Sequence, residues 1–68
     1  MNDHVYKTVQ ITGSSHKSPD DAIRLAIERA SLTLKNLRWF KVIETRGNIE
    51  SSKVAYWQVT IDVGFTLE

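Results

Sequence analysis

The chain has 68 residues with no cysteine, 41% hydrophobic residues, and nine Lys and Arg against eight Asp and Glu. That length accommodates a single domain over residues 1–68 with a small core, and the lack of cysteine excludes disulfides and thiolate metal sites. The net charge of +1 excludes the strongly basic surface typical of proteins that bind nucleic acid or an anionic membrane. Because no disulfide supports so small a core, we expect a homo-oligomer.

The first predicted element is a strand from Val5 to Thr12, in which apolar and polar side chains alternate. Val9 and Ile11 fall on the apolar face. The opposite face carries Tyr6, Thr8, Gln10 and Thr12. A period of two is typical of a half-buried strand. The residues from Gly13 to Lys17 are then expected to form a loop.

A helix is predicted from Pro19 to about Leu37. Ser18 can cap its first turn, and proline is favoured at the first helical position. The apolar stripe that follows the helical spacing consists of Ile23, Ala26, Ile27, Ala30, Leu34 and Leu37. Leu25 and Leu32 lie nearly opposite this stripe, so they are either single exposed leucines or part of a subunit contact.

Two further strands follow the helix. Trp39 to Arg46 is predicted to form the second strand, a turn extends from Arg46 through Ser52, and the alternating run from Val54 to Leu67 predicts a long third strand. The helix returns the chain to its starting end, so the third strand should pair antiparallel between the other two. The fold class is therefore α+β with the order β-α-β-β, a three-stranded antiparallel sheet and one amphipathic helix packed on one face. The other sheet face must meet water, a ligand or another subunit.

Trp39 and Gln58 are the candidate ligand-binding residues. Adjacent strand residues face opposite ways, and because Phe40 is expected to supply the core-facing aromatic ring, Trp39 should face outward. Gln58 projects from the face away from the helix, and its amide offers one acceptor and two donors. An exposed indole for stacking and an amide for edge recognition suit an aromatic ligand such as a flavin. The commoner explanation of such a glutamine is ordinary sheet surface.

No constellation of residues predicts an enzyme. The three glycines form neither a dinucleotide fingerprint nor a phosphate-binding loop. Glu44 and Asp62 could approach each other across paired strands, but two such carboxylates are usually solvated surface. His4 and His16 lack a metal-ligand spacing, so no metal site is expected. The apolar runs are short and the N-terminus lacks an apolar signal segment, which predicts a cytoplasmic protein without a membrane span.

Several motifs of the sequence resemble those of one known family. The motifs are Val5-Tyr6-Lys7, Gly13-Ser14-Ser15, Leu37-x-Trp39-Phe40-x-Val42, Arg46-Gly47, Gln58-Val59 and Val63-Gly64-Phe65-x-Leu67-Glu68. Through them the chain resembles, over essentially its whole length, the dodecins. These are small flavin-binding proteins that assemble twelve copies into a hollow shell.

The resemblance implies a function and three cofactor-binding residues. Trp39 would stack on the isoalloxazine ring of FMN, riboflavin or FAD, Gln58 would hydrogen-bond the polar edge of that ring, and Arg46 would lie beside the flavin near a subunit contact. The implied role is storage and sequestration of flavin in a dodecamer rather than turnover of a substrate. The resemblance also raises coenzyme A as a further ligand, as for some bacterial members.

Two positions depart from the family's usual pattern. Arg38 and Lys41 stand where acidic residues are common, and these cations favour phosphate-bearing FMN over riboflavin. The alternative from another class of function is a structural or protein-interaction module that forms a homo-oligomer without flavin. Visible flavin absorption in the purified protein distinguishes the two.

Overall fold

The computed structural model describes residues 3–67 and has the predicted order of elements. The elements are β1 (Tyr6–Ser15), α1 (Pro19–Ala30), β2 (Leu37–Glu50) and β3 (Lys53–Thr66). The strand order in the sheet is β1-β3-β2, and β3 runs antiparallel to both neighbours. The predicted β-α-β-β fold, with the third strand at the centre of an antiparallel sheet and one helix, is confirmed.

The core lies between α1 and the middle of β3. Val59, Ile61 and Val63 alternate along β3 and are at most 1% exposed. Ala22 and Ala26 meet them from the helix, one turn apart. The partly buried hydrophobic residues around this cluster are Val9, Ile11, Ile23, Ile27 and Leu37. Full burial of an aliphatic side chain contributes about 1.5–3 kcal/mol to stability. Because only a few side chains are buried to this extent, these few supply most of the hydrophobic stabilisation of a single chain.

Gly13 lies in β1 and not in the predicted loop, because β1 continues to Ser15. A side chain at Gly13 would overlap the carbonyl oxygen of Ala22 and come within 2.8 Å of the Cβ of Ala26. The glycine therefore lets the helix approach the strand closely. Glycine and serine are common in loops, which is why the sequence predicts a loop here. The contact with α1 explains why a glycine occurs inside the strand instead.

A short hydrogen-bonded connection joins β1 to α1. The Ser15 hydroxyl donates to Asp21 Oδ2 at 2.6 Å and accepts from the Lys17 backbone N–H at 2.9 Å. Ser18 caps the helix, as predicted, by accepting from the Asp21 N–H at 3.0 Å. Arg24 donates to Asp21 Oδ1 at 2.6 Å. The hydrogen bond from Ser15 lowers the pKa of Asp21; partial burial opposes this effect, and the charges of Arg24 and Lys17 add to it.

The helix ends at Ala30, so the prediction that it runs to about Leu37 is wrong. The Ser31 hydroxyl donates to the Glu28 carbonyl oxygen at 2.7 Å, which satisfies an acceptor of the last helical turn without a further turn. Asn36 then has a left-handed backbone conformation, with φ of 63°. Leu37 starts β2 and reaches the core from there, which explains why it matched the apolar spacing of the helix.

β2 is longer than predicted and continues through Arg46 to Glu50. A two-residue turn, Ser51-Ser52, joins it to β3 with φ values of 53° and 64°, and positive φ at both positions is typical of a type I′ hairpin. The predicted turn therefore begins too early. Gly47 lies within the paired strands.

β2 is the part of the sheet that the helix leaves uncovered. α1 packs mainly on β1 and β3, and every residue of β2 after Leu37 is exposed. Phe40 pairs with Val63 on the helix side of the sheet, yet it is 47% exposed, so the expectation that it supplies a core aromatic ring is wrong. Leu25 and Leu32 are exposed, as predicted, although Leu32 follows the helix instead of belonging to it.

α1 has 12 residues, too few to cross a bilayer, and no longer helix occurs among residues 3–67.

Candidate functional site

The sheet face turned away from α1, the open face, carries the predicted site residues. Strand pairing places residues of β1, β3 and β2 in rows across this face. In order along the sheet, the rows are Thr8–Gly64–Trp39, Gln10–Asp62–Lys41, Thr12–Thr60–Glu44 and Ser14–Gln58–Arg46. The open face is therefore the polar face that the alternation predicted, with an aromatic side chain at one end.

The indole of Trp39 covers the centre of the first row. The nearest atoms to a Cβ added at Gly64 would be Cε2, Cζ2 and Cδ2 of this indole, and the first two would overlap it. The Tyr6 ring meets the indole nearly at a right angle, with centroids 6.0 Å apart and 67° between the planes. Trp39 is still 40% exposed. The indole therefore offers a supported apolar surface to a planar ligand.

Gln58 and Arg46 are direct neighbours at the other end of the open face. Ser14 pairs with Gln58 from β1. The Arg46 side chain is 63% exposed and lies 4.0 Å from the carboxylate of Glu44, a loose contact that leaves most guanidinium donors available. Amide and guanidinium groups side by side are suited to hydrogen-bonding the polar edge of a planar ring.

Trp39 and Gln58 do not come together within one chain. Gly64, which pairs with Trp39, is six residues along β3 from Gln58, which corresponds to about 20 Å at 3.4 Å per residue. Arg46 and Gln58 form one cluster, and Trp39 and Tyr6 form another. At that separation we do not expect a ring system stacked on Trp39 to reach Gln58 of the same chain.

Two cations lie close to Trp39 in β2, and strand pairing places one of them, Lys41, in a row of the open face. Lys41 lies on the open face in the row next to Trp39 and pairs with Asp62, whose carboxylate accepts from the Gln10 amide at 3.3 Å. Arg38 stands at the register irregularity between Leu37 and Trp39 and, together with Trp39, borders a hollow next to α1. Lys41 is therefore the cation whose row on the open face adjoins that of Trp39.

Sequence reasoning assigned no role to Tyr6 or Gly64, which together surround the indole of Trp39. The alternation of β1 places Tyr6 on the correct face, but the pairing that brings it to Trp39 depends on the register of three strands. The one available signal is Gly64 itself, because a glycine inside an otherwise alternating strand often marks a close approach by another group.

The candidate histidines and carboxylates among the described residues lie apart from one another. Residues 3–67 contain no cluster of three histidines or carboxylates that could hold a metal ion. His4 contacts Tyr6, whereas His16 Nδ1 donates to the Ala55 carbonyl oxygen at 3.0 Å near the other end of β1. Glu44 and Asp62 lie in different rows of the open face.

Comparison with known proteins adds a family. The dodecin family profile matches residues 5–68. Dodecin from Thermus thermophilus is 45% identical over 64 residues, which cover 94% of this chain and 93% of that protein. The structure of dodecin from Streptomyces davaonensis is 48% identical, with a TM-score of 0.92 over 98% of each chain. A calcium dodecin from Mycobacterium tuberculosis with a novel calcium-binding site is 28% identical, with a TM-score of 0.81 over 94% of this chain and 91% of that one.

Proposed function

The chain belongs to the dodecin family, and from that premise we propose that it binds, stores and sequesters flavin, as FMN, riboflavin or FAD, without catalysing a reaction. The observation that carries the proposal is the indole of Trp39, which is supported from below by Gly64 and still 40% exposed. Stacking on an exposed aromatic ring binds a planar ligand through its face and does not require hydrogen bonds to individual atoms of the ligand.

The bound flavin lies between copies of the chain in this proposal. Trp39 of one copy supplies the stacking surface, and Gln58 and Arg46 of another copy hydrogen-bond the polar edge of the ring. The distance of about 20 Å between the two clusters of a single chain supports this arrangement. The flavin site and the homo-oligomer, which we propose to be the dodecamer of the family, thus depend on each other.

The uncovered strand β2 supports the same assembly. Its exposed apolar side chains include Phe40, Val42, Ile43 and Ile49. Phe40 and Val42 pair with buried residues of β3 on the helix side of the sheet, where α1 does not cover them. A second copy would remove them from water. The expected mass of the dodecamer, about twelve times 7.8 kDa, can be measured by light scattering.

The first test is ligand extraction followed by titration. The purified protein should absorb in the visible range, and a mass spectrum of the extract should identify FMN, riboflavin, FAD or coenzyme A. Trp39→Ala should weaken FMN binding by about 1–3 kcal/mol, the value of one aromatic stacking contact, while the oligomer persists. Unchanged FMN affinity in Trp39→Ala would exclude the stacking role. A colourless oligomer that binds no added flavin would favour the protein-interaction module.

The second test mixes two variants to examine the composite site. Gln58→Leu leaves polar atoms of the ring edge unpaired, which costs about 1–3 kcal/mol, and Trp39→Ala removes the stacking surface. Each variant alone should bind FMN weakly. Oligomers that contain both chains should regain part of the high-affinity capacity, because some sites combine an intact Trp39 with an intact Gln58. Without any recovery in mixed oligomers of verified composition, both side chains must come from one copy.

Lys41 gives this site a preference for a phosphorylated flavin. It lies on the open face in the row next to Trp39, whereas Arg38 stands at a register irregularity outside these rows. An exposed ion pair contributes about 0.2–1 kcal/mol, so Lys41→Gln should lower the ratio of FMN to riboflavin affinity by up to several-fold. Arg38→Gln removes a cation of the same charge outside these rows, and as the comparison variant it should change that ratio less. Equal losses of FMN affinity and riboflavin affinity in Lys41→Gln would exclude an interaction between Lys41 and the phosphate.

A further inference from the structure

The indole of Trp39 rests on a surface formed by two residues outside the cluster of proposed ligand contacts. Gly64 is buried beneath it, and the three atoms closest to a Cβ at that position all belong to the fused ring system. Tyr6, from the far strand β1, closes one side of the indole with its ring 6.0 Å away. The indole therefore spans the central strand from β2 towards β1.

Gly64 is required for space and not for backbone conformation. None of the glycines among the described residues has a positive φ, so an alanine at this position would meet no conformational strain. The added methyl group would instead overlap Cε2 and Cζ2 of Trp39. The indole would have to leave its place over β3, because the strand backbone beneath is fixed by pairing on both sides.

Resting on the proposed function, we propose that Gly64 and Tyr6 are positioning residues that hold the indole of Trp39 in its binding orientation before the flavin arrives. Neither residue needs to touch the ligand. A side chain that is already held loses little conformational freedom on binding, whereas a mobile one must be immobilised by the ligand itself. The rigid surface thus raises affinity without adding a contact.

The test uses a Trp57→Phe background, which leaves Trp39 as the only tryptophan of the chain. Gly64→Ala, Tyr6→Leu and Tyr6→Phe are compared in the assembled protein. The mobility of the indole is measured without flavin, by fluorescence anisotropy and acrylamide quenching. FMN affinity is measured separately by titration.

Tyr6→Leu should increase quenching of Trp39 and weaken FMN binding by about two- to tenfold, the cost of immobilising one side chain. Gly64→Ala should have a larger effect on both measurements, and Tyr6→Phe should affect neither because it keeps the ring. Tyr56→Leu removes a tyrosine that meets His16 at the far end of the sheet, so it serves as the matched control for Trp39 mobility.

The two measurements separate this inference from the proposed function. If the parent binds no flavin but Tyr6→Leu and Gly64→Ala release the indole, the proposed function fails and with it the role in flavin binding, while the two residues are still shown to immobilise the indole. If flavin binds to the parent and Tyr6→Leu leaves both the anisotropy and the quenching of Trp39 unchanged, the positioning role is overturned. Tyr6→Leu decides the question alone if Gly64→Ala does not fold.

Discussion

The two halves of the sheet differ in what covers them. Under the helix, the β3 residues Val59, Ile61 and Val63 are almost fully buried. In β2, every side chain after Leu37 is exposed, although the strand is as long as β3 and paired along most of its length. The difference is visible within one row on the helix side of the sheet, where Ile61 is 0% exposed and its cross-strand neighbour Val42 is 43% exposed.

This contrast separates the apolar side chains that a single chain buries from those that only an assembly could bury. A helix of 12 residues has the length and the apolar stripe to cover two strands, and β2 lies beyond it. Small domains without disulfides commonly obtain the missing burial by association. In the row through Ile61 and Val42, the contribution of burial within one chain and the contribution of burial between chains can therefore be measured on neighbouring residues.

The largest expected effect is that of Ile61→Ala. Removing this fully buried side chain should lower the free energy of unfolding by about 2–5 kcal/mol. Val42→Ala, in the same row, would cost no more than about 1 kcal/mol in a chain whose β2 stays exposed, and should cost more in an assembly in which a second copy covers β2. Denaturant unfolding at equal protein concentrations measures both. A larger cost for Val42→Ala would show that another copy covers β2, and an unaffected Ile61→Ala would contradict the position of the core.

The second effect concerns assembly rather than folding. Val42→Glu places a carboxylate on the uncovered apolar surface of β2, where a single chain tolerates it because the side chain remains in water. Contact with a second copy would bury that charge without a partner, which is strongly unfavourable. We expect a normal far-UV spectrum and a lower mass by light scattering, with Val42→Ile as the control that keeps the parent's mass. A Val42→Glu protein of unchanged mass would exclude β2 from the subunit contact.

The fold could be predicted because its main signals are local. Alternation along β3 and the cap at Ser18 needed no knowledge of the rest of the chain. The end of the helix could not be found, because neither glycine nor proline marks it and Leu37 continues the apolar spacing from a different element. The continuation of β1 through Gly13 to Ser15 was missed for a related reason, since the close approach of α1 is a tertiary contact.

In the candidate site, too, local features could be predicted from the sequence and tertiary contacts could not. The outward direction of Trp39 followed from alternation, and so did the face of Gln58. Their separation along β3 depends on strand register, which the sequence does not display. For this reason the sequence pointed to two residues for one ligand, whereas the structure brings together Trp39 with Tyr6 and Gln58 with Arg46.

The smallest expected effect lies in the covered half, where β1 meets α1. Asp21 accepts from the Ser15 hydroxyl, and this hydrogen bond holds its pKa below the ordinary value of 3.8. A carboxylate whose pKa is lower in the folded state contributes stability above its unfolded pKa and loses that contribution as the pH falls through the folded value. Asp21→Asn should therefore be less stable than the parent near neutral pH, and the difference should shrink below about pH 4.

Thermal unfolding as a function of pH measures this difference, with Asp20→Asn as the matched control. That variant removes an exposed carboxylate one residue earlier and keeps the hydrogen bond between Ser15 and Asp21. The same pH profile for Asp21→Asn and Asp20→Asn would mean that the hydrogen bond adds nothing to stability. Val42→Glu offers the contrast from the other half, because its carboxylate opposes assembly when ionised and should do so less below about pH 4. Acid should thus narrow the difference from the parent for both variants. It lowers the parent's free energy of unfolding in the covered half, and it lowers the cost of burying the introduced carboxyl group at the β2 contact.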